Sequence, residues 1–117
     1  MCLENLTIKS NIKNYIVHFE KDKSFLEKPM NSENTIFIID KNVYNLHKSN
    51  ILANIPQDKS IFLDISEEMK NIETACFLYE KIMQFSPRKN LTIVSIGGGI
   101  TQDVTGFVAS SLYRGVN

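Results

Sequence analysis

Ser95-Ile96-Gly97-Gly98-Gly99-Ile100-Thr101-Gln102-Asp103 ends a run of apolar residues in three glycines and opens an amphipathic pattern. Upstream, Leu91 to Ile96 is short and rich in β-branched residues, the signature of a strand buried on both faces of a parallel sheet. Downstream, Asp103 to Arg114 sets Val104, Phe107, Val108, Ser111 and Leu112 on one helical stripe, which predicts a helix. Glycine lacks a β-carbon and tolerates positive φ, so the backbone between them can turn sharply and come close to a ligand. Strand, glycine turn and helix together make an anion cradle, where unpaired N–H groups and the helix dipole converge. Gly97 and Gly99 supply two glycines of the G-x-G-x-x-G dinucleotide fingerprint, while Gln102 stands at the third position. Two readings stand side by side: a ligand cradle, and a turn that needs glycine for steric reasons alone.

Working outward, the same alternation of buried-type strand and amphipathic segment recurs. Thr35-Ile36-Phe37-Ile38-Ile39 is a second buried-type strand, followed by a helix predicted over 42–53 from the stripe Val43, Leu46, Ile51 and Leu52. Asp40 and Asn42 lie where that strand passes into the helix. They suit an N-cap, and a carboxylate at this edge of an open sheet also suits ribose hydroxyls. Ser60 to Ile65 is a third strand. It runs into Ser66-Glu67-Glu68-Met69-Lys70-Asn71, read as a helix start with an imperfect capping box at Ser66 and acids at the positive end. Ile72, Ala75, Cys76, Tyr79, Ile82 and Met83 continue as a 3.6-residue stripe that Ser86-Pro87 closes. Cys76, on the apolar face, is expected to be a buried thiol.

Before this core, residues 6–10 and 14–19 alternate apolar and polar side chains, as a hairpin or two edge strands do. His18 falls on the polar phase and reads as an exposed surface residue. Residues 20–32 read as a charged loop with at most one helical turn at 24–27. The expected architecture is one α/β domain: a doubly wound, Rossmann-like parallel sheet flanked by helices over 35–117, with edge strands over 1–20.

Composition sets limits on partners. The 117 residues are 43% hydrophobic and 22% charged, with a net charge of zero, which gives no reason to expect nucleic acid or an anionic membrane. Two cysteines, Cys2 and Cys76, are too few for a disulfide framework. No apolar run approaches the ~20 residues of a membrane span, and the first residues lack the pattern of a signal peptide, so a cytoplasmic protein is expected.

Gly97 to Val116 reads GGGITQDVTGFVASSLYRGV. It resembles the GGG-x-x-x-D-x-x-GF…RGV stretch of 3-dehydroquinate synthases and related sugar phosphate cyclases. Asp40-Lys41-Asn42-Val43-Tyr44 is similar to the family's D-x-N-V-Y element, and Glu67 with Lys70 matches its E-x-x-K element. The likeness runs from Ile36 to Val116. It implies an N-terminal NAD-binding domain of an enzyme that uses NAD and a divalent metal, zinc or cobalt, to turn 3-deoxy-arabino-heptulosonate 7-phosphate into 3-dehydroquinate in the shikimate pathway. By resemblance, Asp40, Asn42, Glu67 and Lys70 contact the adenosine side of NAD, and Gly98, Gly99 and Asp103 line its pyrophosphate and second ribose. Arg114 faces the phosphate of the sugar phosphate substrate in a neighbouring subunit of a homodimer.

The sequence departs from the family in having Gln102 where glycine is common, which implies either a small backbone shift or a subgroup with another substrate. The family's metal ligands, one glutamate and two histidines, lie beyond the point matching Val116. The 117 residues are therefore expected to be inactive alone and to leave Phe107, Val108 and Leu112 uncovered. Two other functions fit the same residues: a cyclase with a different sugar phosphate, and a non-catalytic nucleotide-binding module.

Overall fold

The computed structural model describes residues 5–9, 15–17, 23–66, 68, 70–85, 87 and 90–112. Three parallel strands, β3 (Thr35–Asp40), β4 (Ser60–Leu63) and β5 (Thr92–Ile96), form a sheet in the order β4-β3-β5. A separate antiparallel pair, β1 (Leu6–Ile8) and β2 (Tyr15–Val17), matches Leu6 with Val17 and Ile8 with Tyr15. Helix α1 (Glu27–Met30) extends a 3-10 turn over Lys23–Leu26, so the segment read as a loop carries a short helix. Helices α2 (Lys41–His47), α3 (Ile72–Gln84) and α4 (Gly99–Ser111) alternate with the parallel strands.

The winding follows from this order. From β3 the chain passes through α2 to β4 on one side, then returns through α3 across β3 to β5 on the other. Right-handed crossovers that reverse direction must place their helices on opposite faces, and the core shows this division. Side chains along a strand point alternately up and down. Ile36 and Ile38 join Ile61, Leu63, Ala75, Leu78, Ile82, Val104, Val108 and Leu112 on the face of α3 and α4. Phe37 and Ile39 join Leu26, Leu52 and Ile55 on the face of α2, with Val43, Tyr44 and Phe62 packed against them. The Tyr44 and Phe62 rings meet at a centroid distance of 4.8 Å.

The centre of the sheet is β3, where Phe37, Ile38 and Ile39 are fully buried. The expectation that Leu91 to Ile96 is buried on both faces is met in part: Leu91 and Ile93 pack against one core layer and Val94 and Ile96 against the other, but β5 is an outer strand among the described residues and its five residues are only half-buried. Both strands read alike because apolar, β-branched content registers sheet membership without registering position in the order.

Three helix boundaries also differ from expectation. Helix α2 stops at His47, well short of residue 53, because Lys48-Ser49-Asn50 offers polar alternatives to the helical ladder. The Asn50 side chain accepts from the Ile51 N–H, and the Leu52 N–H reaches back to the His47 carbonyl at 3.0 Å. The tightening turn buries Leu52, while Leu46 stays 75% exposed. Helix α3 begins at Ile72 rather than near Ser66, with Asn71 as its cap; the Asn71 carboxamide oxygen accepts from the Thr74 N–H at 2.8 Å and the Thr74 hydroxyl at 3.0 Å. Helix α4 begins at Gly99, four residues before Asp103, with Gly98 as its cap.

Burial of the stripes is correspondingly shifted. In α3 the inward residues are Thr74, Ala75, Leu78 and Ile82, and Cys76 is exposed with a free thiol, which overturns the expectation of a buried one. Val108 of α4 and Leu112, its C-cap, are buried in the cluster shared with α3 and the sheet, so of the three residues expected to be uncovered only Phe107 is exposed. No helix among the described residues is long and apolar enough to cross a membrane.

Candidate functional site at the carboxyl ends of the strands

In an open α/β sheet, ligands bind outside the carboxyl ends of the strands where the winding reverses. Here that point lies between β3 and β5, whose carboxyl ends carry Asp40 and the glycine turn. The two touch closely. A β-carbon added at Gly97, whose φ is +158°, would stand 2.9 Å from the β-carbon of Asp40 and 2.7 Å from the Thr101 hydroxyl oxygen. Gly97 is therefore required by packing, as the steric reading of the turn holds. Gly98 and Gly99 are different: added β-carbons there would meet nothing within 4 Å. The space above them is open, and no side chain caps the α4 N-terminus. Unpaired N–H groups of the first helical turn thus face an open cradle. Beneath it the Thr101 hydroxyl is fully buried and has no hydrogen-bond partner.

Asp40 caps α2 by accepting from the Asn42 N–H at 2.9 Å through one carboxylate oxygen. The carboxylate and the exposed Asn42 side chain therefore flank the switch point on its β3 side. Lys70, in the loop between β4 and α3, reaches across to α4, where its ammonium lies 2.7 Å from the Asp103 carboxylate. This pairing was not legible in the sequence, since the residues are 33 positions apart and stand on different elements. The pair forms the polar wall of a cleft of about 280 Å³ between α3 and α4 whose apolar wall is Ile72, Ala75, Val104 and Phe107. Phe107 and Ile72 were read as helix-stripe residues, but they stand 52% and 66% exposed around this cleft.

The Gln102 side chain folds back onto the glycine turn. Its carboxamide nitrogen donates back to the carbonyls of Ser95, at 3.3 Å, and Gly97, at 3.5 Å. Of the residues expected at the site, the structure gathers Asp40, Asn42, Gly98, Gly99, Lys70 and Asp103 along one edge of the sheet. Glu67, Arg114 and His18 lie outside the described residues.

Residues 60–117, which include β4, α3, β5 and α4, match the family model described as 3-dehydroquinate synthase N-terminal. The chain belongs to the 3-dehydroquinate synthase family. It is 36% identical to the 3-dehydroquinate synthase of Clostridium tetani over 97 residues, covering 80% of this chain and 26% of the relative. It is 28% identical to that of Streptococcus equi over 124 residues, covering 97% and 33%. The chain thus spans about a quarter to a third of the length of these relatives. Among solved structures, 2-deoxy-scyllo-inosose synthase complexed with carbaglucose-6-phosphate, NAD+ and Co2+ has the same fold. Its TM-score is 0.66 at 20% identity, covering 97% of this chain and 33% of that one.

Proposed function

We propose that this chain is the NAD-binding part of a 3-dehydroquinate synthase, a carbon–oxygen lyase that eliminates phosphate from 3-deoxy-arabino-heptulosonate 7-phosphate and closes the ring to 3-dehydroquinate in the cytoplasmic shikimate pathway. The observation that carries this is the open cradle above Gly98 and Gly99, set beside Asp40 at the point where the sheet reverses its winding. An anionic pyrophosphate fits uncapped helical N–H groups, and only residues without side chains let it approach them. One oxygen of Asp40 is engaged by the cap, leaving the other to accept from a ribose hydroxyl. Asn42, Glu67 and Lys70 are assigned to the same adenosine end, and Asp103 to the second ribose. When bound, NAD would supply reversible hydride acceptance from a substrate carbinol; the ketone so formed would acidify the C–H beside it, phosphate would leave from the carbon after that, and the hydride would then be returned.

The chain's own part is binding and orientation. Lys70 holds Asp103 in place before the ligand arrives, which lowers the cost of ordering the carboxylate. Among the described residues no group of three His, Cys, Asp or Glu side chains is placed to hold a metal ion. The divalent metal, the proton-moving groups and most of the sugar phosphate contacts are assigned to the two thirds or more of the relatives' length that this chain does not span. Arg114 is assigned to the substrate phosphate, which guanidinium matches in geometry, across a homodimer interface.

Calorimetric titration of NAD into the 117-residue chain tests the cofactor assignment, with Gly99→Val beside the parent. Binding that this substitution abolishes is the expected result. Absence of binding by a folded parent chain would overturn the assignment. A cyclase acting on another sugar phosphate is the second reading; it is favoured by Gln102 standing where glycine is common in the family, and a turnover comparison of the two substrate classes by this domain together with a metal-binding half decides it.

A further inference from the structure

Gln102 occupies the third fingerprint position, which ordinarily carries no side chain so that helix and strand can pack closely. The direction it faces follows from the strand register. The Thr92 N–H donates to the Asn34 carbonyl, so Thr92 turns its peptide groups toward β3. Peptide groups alternate along a strand, so Ser95, three residues on, turns its carbonyl away from β3, toward the outer side of β5. The Gln102 nitrogen binds that carbonyl and the carbonyl of Gly97 together. Both neighbours are acceptors, which settles the orientation of the amide: its two N–H groups are directed inward, and its oxygen is left facing solvent. The residue is exposed, so this oxygen is accessible.

Asp40 stands on the β3 side of the glycine turn and the Gln102 amide on the opposite side. A dinucleotide whose adenosine lies at Asp40 extends its other half past the glycines toward Gln102. We infer that Gln102 is a specificity-determining residue of this site: its side-chain oxygen accepts a hydrogen bond from a donor on the far half of the dinucleotide, a ribose hydroxyl or an amide N–H. This rests on the NAD assignment above. The same oxygen repels a bare phosphate oxygen placed there, so it favours a dinucleotide over a nucleotide that ends in phosphate. A glycine at this position makes neither contact.

The test compares NAD with ADP, which keeps the adenosine and the pyrophosphate and lacks the far half. Both are titrated calorimetrically into the parent chain, Gln102→Met and Gln102→Gly; Met keeps the length and helix propensity of Gln without its amide, and the thermal midpoint verifies folding. Loss of one neutral hydrogen bond predicts NAD affinity about 3- to 10-fold weaker in both variants, with ADP affinity unchanged or raised. Equal changes for the two ligands, no change in either, or tighter NAD binding in Gln102→Gly would overturn the inference and leave the NAD assignment standing. A folded parent chain that binds no NAD would overturn both.

Discussion

The Lys70 ammonium and the Asp103 carboxylate, 2.7 Å apart, join the loop ahead of α3 to the first turns of α4. Their side chains are 53% and 63% exposed, so water screens the attraction and the pair contributes little to folding, at most about 1 kcal/mol. Lys70→Ala and Asp103→Ala are therefore expected to shift the thermal midpoint by no more than a few degrees. Their effect on NAD is expected to be larger, about 10-fold or more for Asp103→Ala, because a charge-assisted hydrogen bond to a ribose is lost. Calorimetry beside thermal melts separates the two; a large fall in stability with intact NAD affinity would show the pair to be structural.

The three glycines of the turn are expected to divide by role. An alanine at Gly97 drives its β-carbon against Asp40 and Thr101 at 2.7 to 2.9 Å, backbone-anchored atoms with little room to move. Gly97→Ala is expected to cost about 1–3 kcal/mol of stability. Gly99→Ala meets open space within the first turn of a helix, and alanine is the better helix former, so its stability is expected to match or slightly exceed the parent's. Its β-carbon stands in the cradle, and NAD binding is expected to weaken. Denaturant melts of both variants, followed by NAD titration of Gly99→Ala, check the division.

What the sequence announces and what it conceals divide along a physical line. Local patterns were legible: Phe37 to Ile39 as a buried run, the glycine turn as the junction of strand and helix, and Asp40 as a cap. Relationships set by tertiary packing were not. The stripe of α3 contained Cys76 and Ile72 alongside Ala75 and Ile82, and only its packing against the sheet and α4 decides that Leu78 and Ile82 face inward while Ile72 and Cys76 face out. The Lys70–Asp103 pairing depends on the same packing. The start of α3 was misplaced because Ser66 and Asn71 are both competent caps. A strand that ends at Leu63, and an Asn71 amide that also donates to the Glu68 carbonyl at 2.6 Å, select the later one.

That selection makes a direct prediction. The Asn71 side chain satisfies the Thr74 N–H, one of the orphan donors at the start of α3, and binds the Thr74 hydroxyl and the Glu68 carbonyl as well. Asn71→Ala is expected to cost about 1–2 kcal/mol, Asn71→Ser to recover most of it, and Asn71→Asp to recover the cap but not the contact with the Glu68 carbonyl, to which a carboxylate cannot donate. Ser66→Ala is expected to leave stability within about 0.5 kcal/mol. Urea unfolding of the four variants measures this, and a loss at Ser66 equal to that at Asn71 would return the helix start to Ser66.

Leu78 and Phe107 test the packing from its two sides. Leu78 lies fully buried in the layer between α3 and the sheet, among Ile36, Ile61, Ala75 and Ile82. Its truncation leaves a cavity that close-packed neighbours only partly fill, and Leu78→Ala is expected to cost about 2–5 kcal/mol. A small domain holds only about 5–15 kcal/mol in total, so this variant is expected to melt well below the parent. Phe107 is 52% exposed on the rim of the cleft, and half of its apolar surface already meets water. Phe107→Ser is expected to cost less than Leu78→Ala and to reduce self-association of the 117-residue chain, since a large exposed ring at a cleft is a site for apolar contact between copies. Sedimentation velocity across a concentration series reads the association, and thermal melts read the stability. A Phe107→Ser chain that associates as the parent does would move the contact away from the α3–α4 cleft.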